Sequence, residues 1–222
     1  MPKAVDHDAR RAELLAATWR VIARDGIEGA TVRRISREAG YSTGVLTHYF
    51  QNKEDVLRTA LQAAFSQTRT RIETQAAEGR GLTALRSGAL AELPLDDERR
   101  RACEVRLGFW ARATADESFA ADQRARYFHL RRTFVQLLDA ACECGELTAD
   151  LDLDTEAEKI IALCEGIAVQ ALFDTSRWTN ERLVAAIDSH LASIGAVPAS
   201  KTGRGHKVER RTESESRISQ TH

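Results

Sequence analysis

The chain has 222 residues, 43% of them hydrophobic, so it is long enough to bury one or two sizeable cores and cannot be disordered throughout. Its 32 Lys and Arg nearly cancel its 33 Asp and Glu, and a formal net charge of -1 taken alone argues against a nucleic-acid binder. Four clustered cysteines, no membrane-spanning apolar run and a charged N-terminus without a signal core together predict a soluble cytoplasmic protein.

The near-zero charge is unevenly placed along the chain. Residues 1–50 carry 8 basic and 6 acidic side chains, a balance of +2, whereas residues 51–200 carry 18 basic and 24 acidic ones, a balance of -6. Residues 201–222 carry 6 basic and 3 acidic side chains, a balance of +3. A mildly basic start, an acidic middle and a basic tail predict two folded parts with different partners, and an appendage.

Capping residues and glycines divide the first third of the chain into four helices. Only three prolines are present, none of them inside an apolar-periodic stretch, so long helices are permitted nearly everywhere. Thr31, Ser42 and Asn52 are suitable N-caps, and Gly26 and Gly40 are suitable C-terminal stops. The predicted helices cover residues 9–25, 32–39, 43–50 and 53–78.

Five further helices are predicted by apolar spacing in the rest of the chain. They cover residues 82–93, 96–110, 118–144, 155–175 and 180–194. Thr155 is the expected cap of the eighth helix, and Thr179 or Asn180 that of the ninth. The prediction is an all-α fold of about nine helices with no strand, followed by a basic tail over 198–222 that is too polar to fold.

Residues 31–50 have the pattern of a helix-turn-helix. Two short helices are joined by Gly40 and Tyr41, and the second begins at the Ser42 cap. Three apolar residues are spaced to pack the two helices together, namely Ile35, Ala39 and Leu46. The outward positions of the second helix are then Thr43, Gly44, Val45, Thr47 and His48. Gly44 costs a helix about 1 kcal/mol relative to alanine, which indicates close approach to a groove wall, the alternative being a loosened turn.

A longer set of residues at fixed spacing carries a family resemblance: Thr31, Ile35, Ala39, Gly40, Ser42, Gly44, Leu46, Tyr49, Phe50 and Lys53. This pattern resembles the DNA-binding domain of the TetR family of transcriptional repressors over roughly the first 60 residues. Residues 42–50 are closest to the BetI-like branch, and residues 109–112 resemble that branch less specifically. The resemblance implies an N-terminal helix-turn-helix domain followed by a helical domain for ligand binding and dimerisation.

The resemblance also implies which side chains contact DNA. Those facing bases in the major groove would be Thr43, Val45 and Thr47, and Arg33 would reach a guanine edge, whose O6 and N7 acceptors suit an arginine. Phosphate contacts are implied for Thr31, His48, Tyr49 and Lys53, while Ser42 and Gly44 complete the predicted DNA-binding set.

Plainer interpretations exist for several of these residues. Arginines at positions 33, 34 and 37 are also typical of a solvated helix face, His48 of a surface histidine, and Lys53 of a local charge pattern with the two acidic residues that follow it. Residues 40–44 match the G-x-S-x-G pattern of serine hydrolases, but that motif requires a strand before the serine, where a helix is predicted. Cys142 and Cys144 on one helix point to different sides. No catalytic residue, metal or cofactor is therefore expected.

Aromatic residues concentrated after residue 100 predict an apolar effector pocket between helices. The candidates are Arg106, Phe109, Trp110, Phe128, Phe134, Phe173 and Trp178, with Glu104 and His129 as further polar anchors. One version of this pocket is an aromatic box of Trp110 and Trp178 around a quaternary ammonium. The alternative for more than half of the aromatic residues is plain hydrophobic core.

The resemblance implies a homodimer in which the last two helices of each subunit form the interface. Wide apolar stripes on those helices allow it, with intramolecular core as the alternative. The candidate interface residues are Ile160, Leu163, Ile167, Ala171, Leu183, Ile187 and Leu191. A dimer would place its reading helices about one helical turn apart, roughly 34 to 36 Å, on a palindromic site.

The sequence therefore predicts a DNA-binding domain over 8–68, here called the head, a ligand-binding and dimerisation domain over 69–197, here called the body, and the tail. The predicted function is a ligand-responsive transcriptional regulator, a repressor released from DNA by a small molecule. Its expected partners are double-stranded DNA, a second copy of itself and an unidentified effector, with no membrane. The alternatives are an activator or dual regulator with the same head and, remotely, a helical serine esterase using Ser42.

Overall fold

The computed structural model describes residues 7–148 and 150–195. In these residues the chain forms nine α-helices and no strand, which confirms the predicted all-α fold. The helices are α1 (His7–Gly29), α2 (Val32–Ala39), α3 (Thr43–Tyr49), α4 (Lys53–Ala77), α5 (Gly81–Ala91), α6 (Asp97–Ala113), α7 (Glu117–Glu143), α8 (Leu153–Phe173) and α9 (Asn180–Ile194). None of these helices is both long enough and apolar enough to cross a membrane. The predicted tail lies outside the described residues.

Hydrogen-bonding caps and two glycines set the boundaries of the first four helices. Thr31, Ser42 and Asn52 each accept a hydrogen bond from a backbone N–H three residues ahead, as their positions predicted. Gly40 ends α2 in the left-handed conformation, with φ 75°, which a residue with a Cβ adopts only at a steric cost. Gly26, with φ 71°, kinks α1, and one further helical turn follows before Gly29.

The predicted Thr155 cap of α8 is wrong. The helix begins two residues earlier because Asp152 is the cap, its carboxylate accepting from the Thr155 backbone N–H at 3.2 Å. The Thr155 hydroxyl donates to the other Asp152 oxygen at 2.7 Å, so the threonine supports the cap from inside the helix. Of the two candidates for α9, Thr179 is the cap.

Two hydrophobic cores divide the molecule, and their division does not follow the order of the chain. The first lies among α1 to α4 but also takes in Val105 and Phe109 from α6 and Phe119 from α7. The second lies among α5, α7, α8 and α9. The first core therefore extends past the domain boundary predicted between residues 68 and 69. It includes side chains of α6 because that helix packs against α1 and α4.

Helix α4 contributes to both cores. Leu57 and Leu61 are buried in the first core, and Ile72 is buried in the second. Its 25 residues span about 37 Å at 1.5 Å per residue. A single continuous helix therefore joins the second core to the segment that follows α3.

Candidate nucleic-acid interface and effector groove

The helix-turn-helix packs as the spacing predicted. Ile35 and Leu46 are fully buried, and Ala39 packs against the same core. The unit is held on α1 and α4, which are tied together by the Trp19 indole N–H donating to the Ala60 carbonyl at 3.0 Å. This rigid support leaves one face of α3 directed to solvent.

The solvent-facing side of α3 presents the predicted base-reading residues. Thr43, Gly44, Thr47 and His48 are exposed, and Val45 is half-buried. The Thr47 hydroxyl donates to the Gly44 carbonyl at 3.1 Å, which fixes its rotamer. The side chains available for contact are small and uncharged except for His48, so the helix can lie close to another surface.

Arg33 is an exposed cation on α2, the helix that precedes this face. Its guanidinium makes no hydrogen bond or ion pair with other residues in the described ranges. Its neighbour Arg34 instead lies 3.4 Å from the Asp25 carboxylate. Arg33 is therefore available to a ligand, whereas Arg34 is held by a carboxylate of α1.

The predicted phosphate contacts are partly engaged within the protein. The hydroxyls of Thr31 and Ser42 act as N-caps. The Lys53 ammonium donates to the Glu28 carbonyl at 3.3 Å and lies 3.7 Å from the Glu28 carboxylate. Because this ion pair is at the surface, an incoming phosphate can replace the carboxylate at little cost.

A groove with a volume of about 240 Å³ lies between α4 and α7. Its apolar lining is Phe65, Ile72 and Leu130, and its outer wall includes Ala125 and His129. The polar lining comprises Gln62, Ser66, Thr68, Arg69, Glu92, Asp122, Arg126 and Thr133. The groove thus offers an apolar surface beside groups of both charges, which suits a small amphipathic molecule.

Beneath this groove lies a buried ionic network centred on Glu92. The Arg126 guanidinium donates to the Glu92 carboxylate at 2.9 Å and to Glu165 at 2.6 Å. Arg106 lies 3.5 Å from the same Glu92 carboxylate and donates to the Thr68 hydroxyl at 3.0 Å. The Glu92 and Arg side chains are no more than 7% exposed, so the network links α4, α6, α7 and α8 away from water.

The charges of this network support each other. Burial and the neighbouring Glu165 carboxylate raise the pKa of Tyr127 to about 12, so the phenol stays protonated and donates to Glu165 at 2.8 Å. Burial opposes the charge of Arg126, but Glu92 and Glu165 outweigh it and raise the pKa of the guanidinium. The Tyr127 and Arg126 donors that pair with these carboxylates therefore keep their protons near neutral pH.

None of the seven predicted pocket residues lines the groove. Phe109 and Phe134 fill the two cores, while Phe128 and Phe173 are 51% and 76% exposed. Trp178 packs against the second core under the Arg182 guanidinium, and Arg106 contributes through its partners rather than by lining the cavity. Trp110 and Trp178 do not form a box there. Of the additional polar candidates, His129 does line the groove.

The predicted interface residues are also placed differently from the expectation. Six of the seven are buried inside the subunit: Ile160, Ile167, Ala171, Leu183, Ile187 and Leu191. Leu163 alone is partly exposed. An apolar side chain that is already buried in its own subunit cannot contact a second subunit. The six buried residues therefore form intramolecular core. The exposed positions between them are the ones that a partner subunit can contact.

The alternative chemistries find no support in the local geometry. Ser42 is preceded by helix α2 rather than by a strand, and its oxygen accepts from the Val45 N–H as a cap. The described residues contain no group of three or more side chains that could hold a metal ion. Cys103 and Cys164 are buried, and burial raises the pKa of both thiols, which keeps them unreactive.

An exposed, firmly supported second helix at the start of an all-α chain defines a helix-turn-helix DNA-binding protein. A family model described as bacterial regulatory proteins, tetR family, matches residues 14–60. A second, described as BetI-type transcriptional repressor, C-terminal, matches residues 81–196. The chain belongs to the TetR family of transcriptional regulators, as its sequence pattern predicted.

Two regulators illustrate the relationship. The HTH-type transcriptional regulator PksA of Bacillus subtilis (strain 168) is 33% identical over 207 residues, which is 93% of this chain and 100% of that protein. The HTH-type transcriptional regulator BetI of Vibrio parahaemolyticus is 30% identical over 170 residues, 67% of this chain and 77% of that protein. These relatives are regulators of transcription and not enzymes.

Solved structures share the architecture. A transcriptional regulator from Rhodococcus sp. Rha1 has a TM-score of 0.74 and 29% identity, covering 85% of this chain and 99% of that chain. A transcriptional regulator from Saccharomonospora viridis in complex with choline has a TM-score of 0.79 and 21% identity, covering 86% of this chain and 100% of that chain. The second likeness is one of fold alone.

Proposed function

We propose that this transcriptional regulator is a cytoplasmic repressor that binds a palindromic operator as a homodimer and leaves it when a small molecule occupies the α4/α7 groove. The observation that carries the proposal is the unpartnered face of α3 beside the free Arg33 guanidinium. The head, residues 8–68, reads DNA, and the body, residues 69–197, binds the effector and the second subunit. If the protein represses, deleting its gene raises expression of the operator's neighbouring genes, whereas an activator gives the opposite result.

In this proposal, Thr43, Val45 and Thr47 face bases, and Arg33 reaches a guanine edge. Thr31, His48, Tyr49 and Lys53 contact phosphates. Arg33→Ala is expected to weaken operator binding by about 1 to 3 kcal/mol and to relax specificity at one base pair of each half-site. Lys53→Ala is expected to weaken binding to all sequences alike and to reduce the salt dependence.

Fluorescence anisotropy with the operator and with single-base variants of it separates the two effects. Arg34→Ala is the matched control, because that guanidinium is already paired with Asp25. Equal losses for Arg33→Ala and Lys53→Ala on every sequence would contradict the division into base and phosphate contacts.

Gly44 offers a test in which folding and DNA binding respond in opposite directions. A Cβ built at this position meets only the Ser42 oxygen at 3.7 Å, an ordinary contact, so the free protein has room for alanine. Gly44→Ala is expected to leave thermal stability unchanged or raise it by up to about 1 kcal/mol. Operator affinity should nonetheless fall about tenfold or more, because the methyl group holds α3 away from the groove. Retained affinity would show that α3 does not approach DNA this closely.

The proposed dimer interface is the exposed face of α8 and α9, not their buried stripes. On α8 this face presents Ala162, Gly166 and Phe173, and on α9 it presents Ala185 and Ala192. Small side chains allow two helix pairs to approach closely, and Phe173, at 76% exposure, is the largest apolar side chain that a partner would cover. The two copies of α3 would then lie about one helical turn of DNA apart.

The effector groove is connected to the head by one ion pair and one hydrogen bond. Asp122, in its lining, lies 3.0 Å from Arg58 on α4, and Thr68 on α4 accepts from Arg106 beneath it. A molecule inserted between α4 and α7 would displace α4, which leads directly to the segment after α3. The choline in the Saccharomonospora viridis regulator makes small amphipathic cations one class to test, alongside carboxylates.

Filling the groove provides a test of its role. Ala125 is exposed on its outer wall, so Ala125→Trp is expected to occupy the space without disturbing either core. A compound that raises the melting temperature and releases the wild-type protein from operator DNA should do neither with this variant. Gln136→Trp, at another exposed position of α7, is the matched control. Unchanged release from Ala125→Trp would place the effector elsewhere.

A further inference from the structure

A shallow depression beside α3 is lined by residues of the helix-turn-helix together with two residues from outside it. Its lining comprises His7, Arg10, Ser42, Gly44, Val45, His48 and Tyr49. The first two come from α1 and the rest from α3 and its cap, so α1 contributes to the same face as the base-reading positions.

Three aromatic side chains are assembled in this depression. The Tyr49 hydroxyl lies 3.0 Å from Nδ1 of His7, and the His7 and His48 ring centroids are 6.0 Å apart. The His48 and Tyr49 rings meet edge to face at 5.3 Å. Both imidazoles are nevertheless exposed, so their remaining ring nitrogens are accessible to a ligand.

The charged groups around the imidazoles are mostly engaged or cationic. On α1, Arg10 stacks on the ring of Tyr41 at 5.2 Å and Arg11 on the ring of Phe50 at 5.5 Å. Glu13 accepts a hydrogen bond from the Tyr41 hydroxyl, and the nearest carboxylate in sequence is that of Asp8. Two imidazoles, a guanidinium and two hydroxyls thus meet on a surface that faces the DNA in the proposed complex.

We propose that this depression binds a phosphate of the DNA backbone, with His7 and Arg10 of α1 supplying contacts in addition to those of α3. A phosphodiester offers only acceptors, and the arginine, protonated imidazoles and hydroxyls supply matching donors. Imidazole is the side chain that titrates between pH 5 and 8 without perturbation. An imidazole beside a phosphate binds its proton more tightly than one in free protein, so DNA affinity rises as pH falls through neutrality.

This proposal rests on DNA binding by the α3 face, but its contacts are independent of base sequence, so no operator is needed to test it. The probe is a fluorescein-labelled duplex of mixed sequence, about 30 base pairs long, in about 50 mM salt, where backbone contacts dominate. Anisotropy is measured from pH 6 to 8 for the wild type, His7→Gln and Arg10→Ala. Circular dichroism checks that each variant is folded.

His7→Gln is expected to bind about tenfold more weakly at pH 6, with a smaller loss at pH 8, because a protonated imidazole attracts a phosphate more strongly than the neutral ring does. Arg10→Ala should weaken binding at both pH values and reduce the slope of log K against log salt by about one per bound subunit. Arg20→Ala removes the same charge further along α1 and should bind like the wild type.

Wild-type affinity and an unchanged pH dependence for His7→Gln and Arg10→Ala would overturn the proposal. If Lys53→Ala nevertheless weakens binding in the same experiment, DNA binding by the α3 face is still supported, and only the contacts of His7 and Arg10 are refuted. Loss of binding in Lys53→Ala together with the predicted pH-dependent loss in His7→Gln supports both.

Discussion

Glu92→Ala is expected to lower the free energy of unfolding by about 3 to 5 kcal/mol, because it leaves buried charges without their shared partner. The Glu92 carboxylate lies 2.9 Å from the Arg126 guanidinium and 3.5 Å from that of Arg106. Glu165 still pairs with Arg126 in the variant, whereas Arg106 retains only neutral acceptors. Urea denaturation followed by circular dichroism measures the change.

Glu98→Ala is the matched control for this prediction. Its carboxylate also pairs with an arginine, Arg71, at 2.8 Å, but it is 63% exposed. A surface ion pair of this kind contributes up to about 1 kcal/mol. A loss below that value for Glu92→Ala would contradict the assignment of the network as a buried and interdependent unit. The loss of unfolding free energy for Glu92→Gln should lie between the losses for Glu92→Ala and Glu98→Ala, since an amide restores hydrogen bonding without the charge.

Gly166→Glu is expected to convert the protein to a monomer and to reduce operator affinity by at least about a hundredfold, because a dimer's second head binds as an intramolecular event. A Cβ at this position meets nothing within 4 Å, so the folded subunit accepts the longer side chain. Across the proposed interface, however, two carboxylates would be brought together and desolvated. Light scattering at micromolar concentration and anisotropy with operator DNA measure the two effects.

The control for this variant is Thr70→Glu, which introduces the same charge on the exposed face of α4. It should remain dimeric and bind DNA like the wild type. A dimeric Gly166→Glu protein would show that the exposed α8/α9 face is not the interface. Retained affinity in a monomeric Gly166→Glu protein would instead contradict two-headed binding.

Local chemistry made the helix-turn-helix predictable from sequence. Thr31 and Ser42 have short oxygens that accept from the first turn of a helix, and Gly40 takes the left-handed conformation that ends α2. Ile35 and Leu46 then follow at spacings that bury them. Each of these features depends on neighbours a few residues away, so nothing distant had to be known.

The proposed effector groove depends on contacts between distant segments, and for this reason the sequence did not point to its lining. Aromatic content after residue 100 pointed to the cores, where Phe109 and Phe134 are buried. One signal was nevertheless present: Arg126 precedes Leu130 and Phe134 at intervals of four residues, which places a charge on the buried stripe of α7. A cation on an apolar stripe requires a buried partner, and Glu92 is that partner.

The interface prediction confused two faces of the same helices. Apolar periodicity on α8 and α9 identified the side that packs inside the subunit, including Ile160 and Ile187. The opposite side carries small residues such as Ala162 and Gly166, which leave no strong periodic signal. Exposure in the folded subunit was needed to distinguish them.

We propose that the exposed face of α3 reads a two-fold symmetric DNA site. This proposal is tested by capturing fragments of genomic DNA with the purified protein and sequencing those that remain bound. We expect enrichment of an inverted repeat whose half-sites are about one helical turn apart, and loss of that enrichment for Gly44→Ala. Recovery of the same fragments by the wild type and the variant, with no shared inverted repeat, would contradict it.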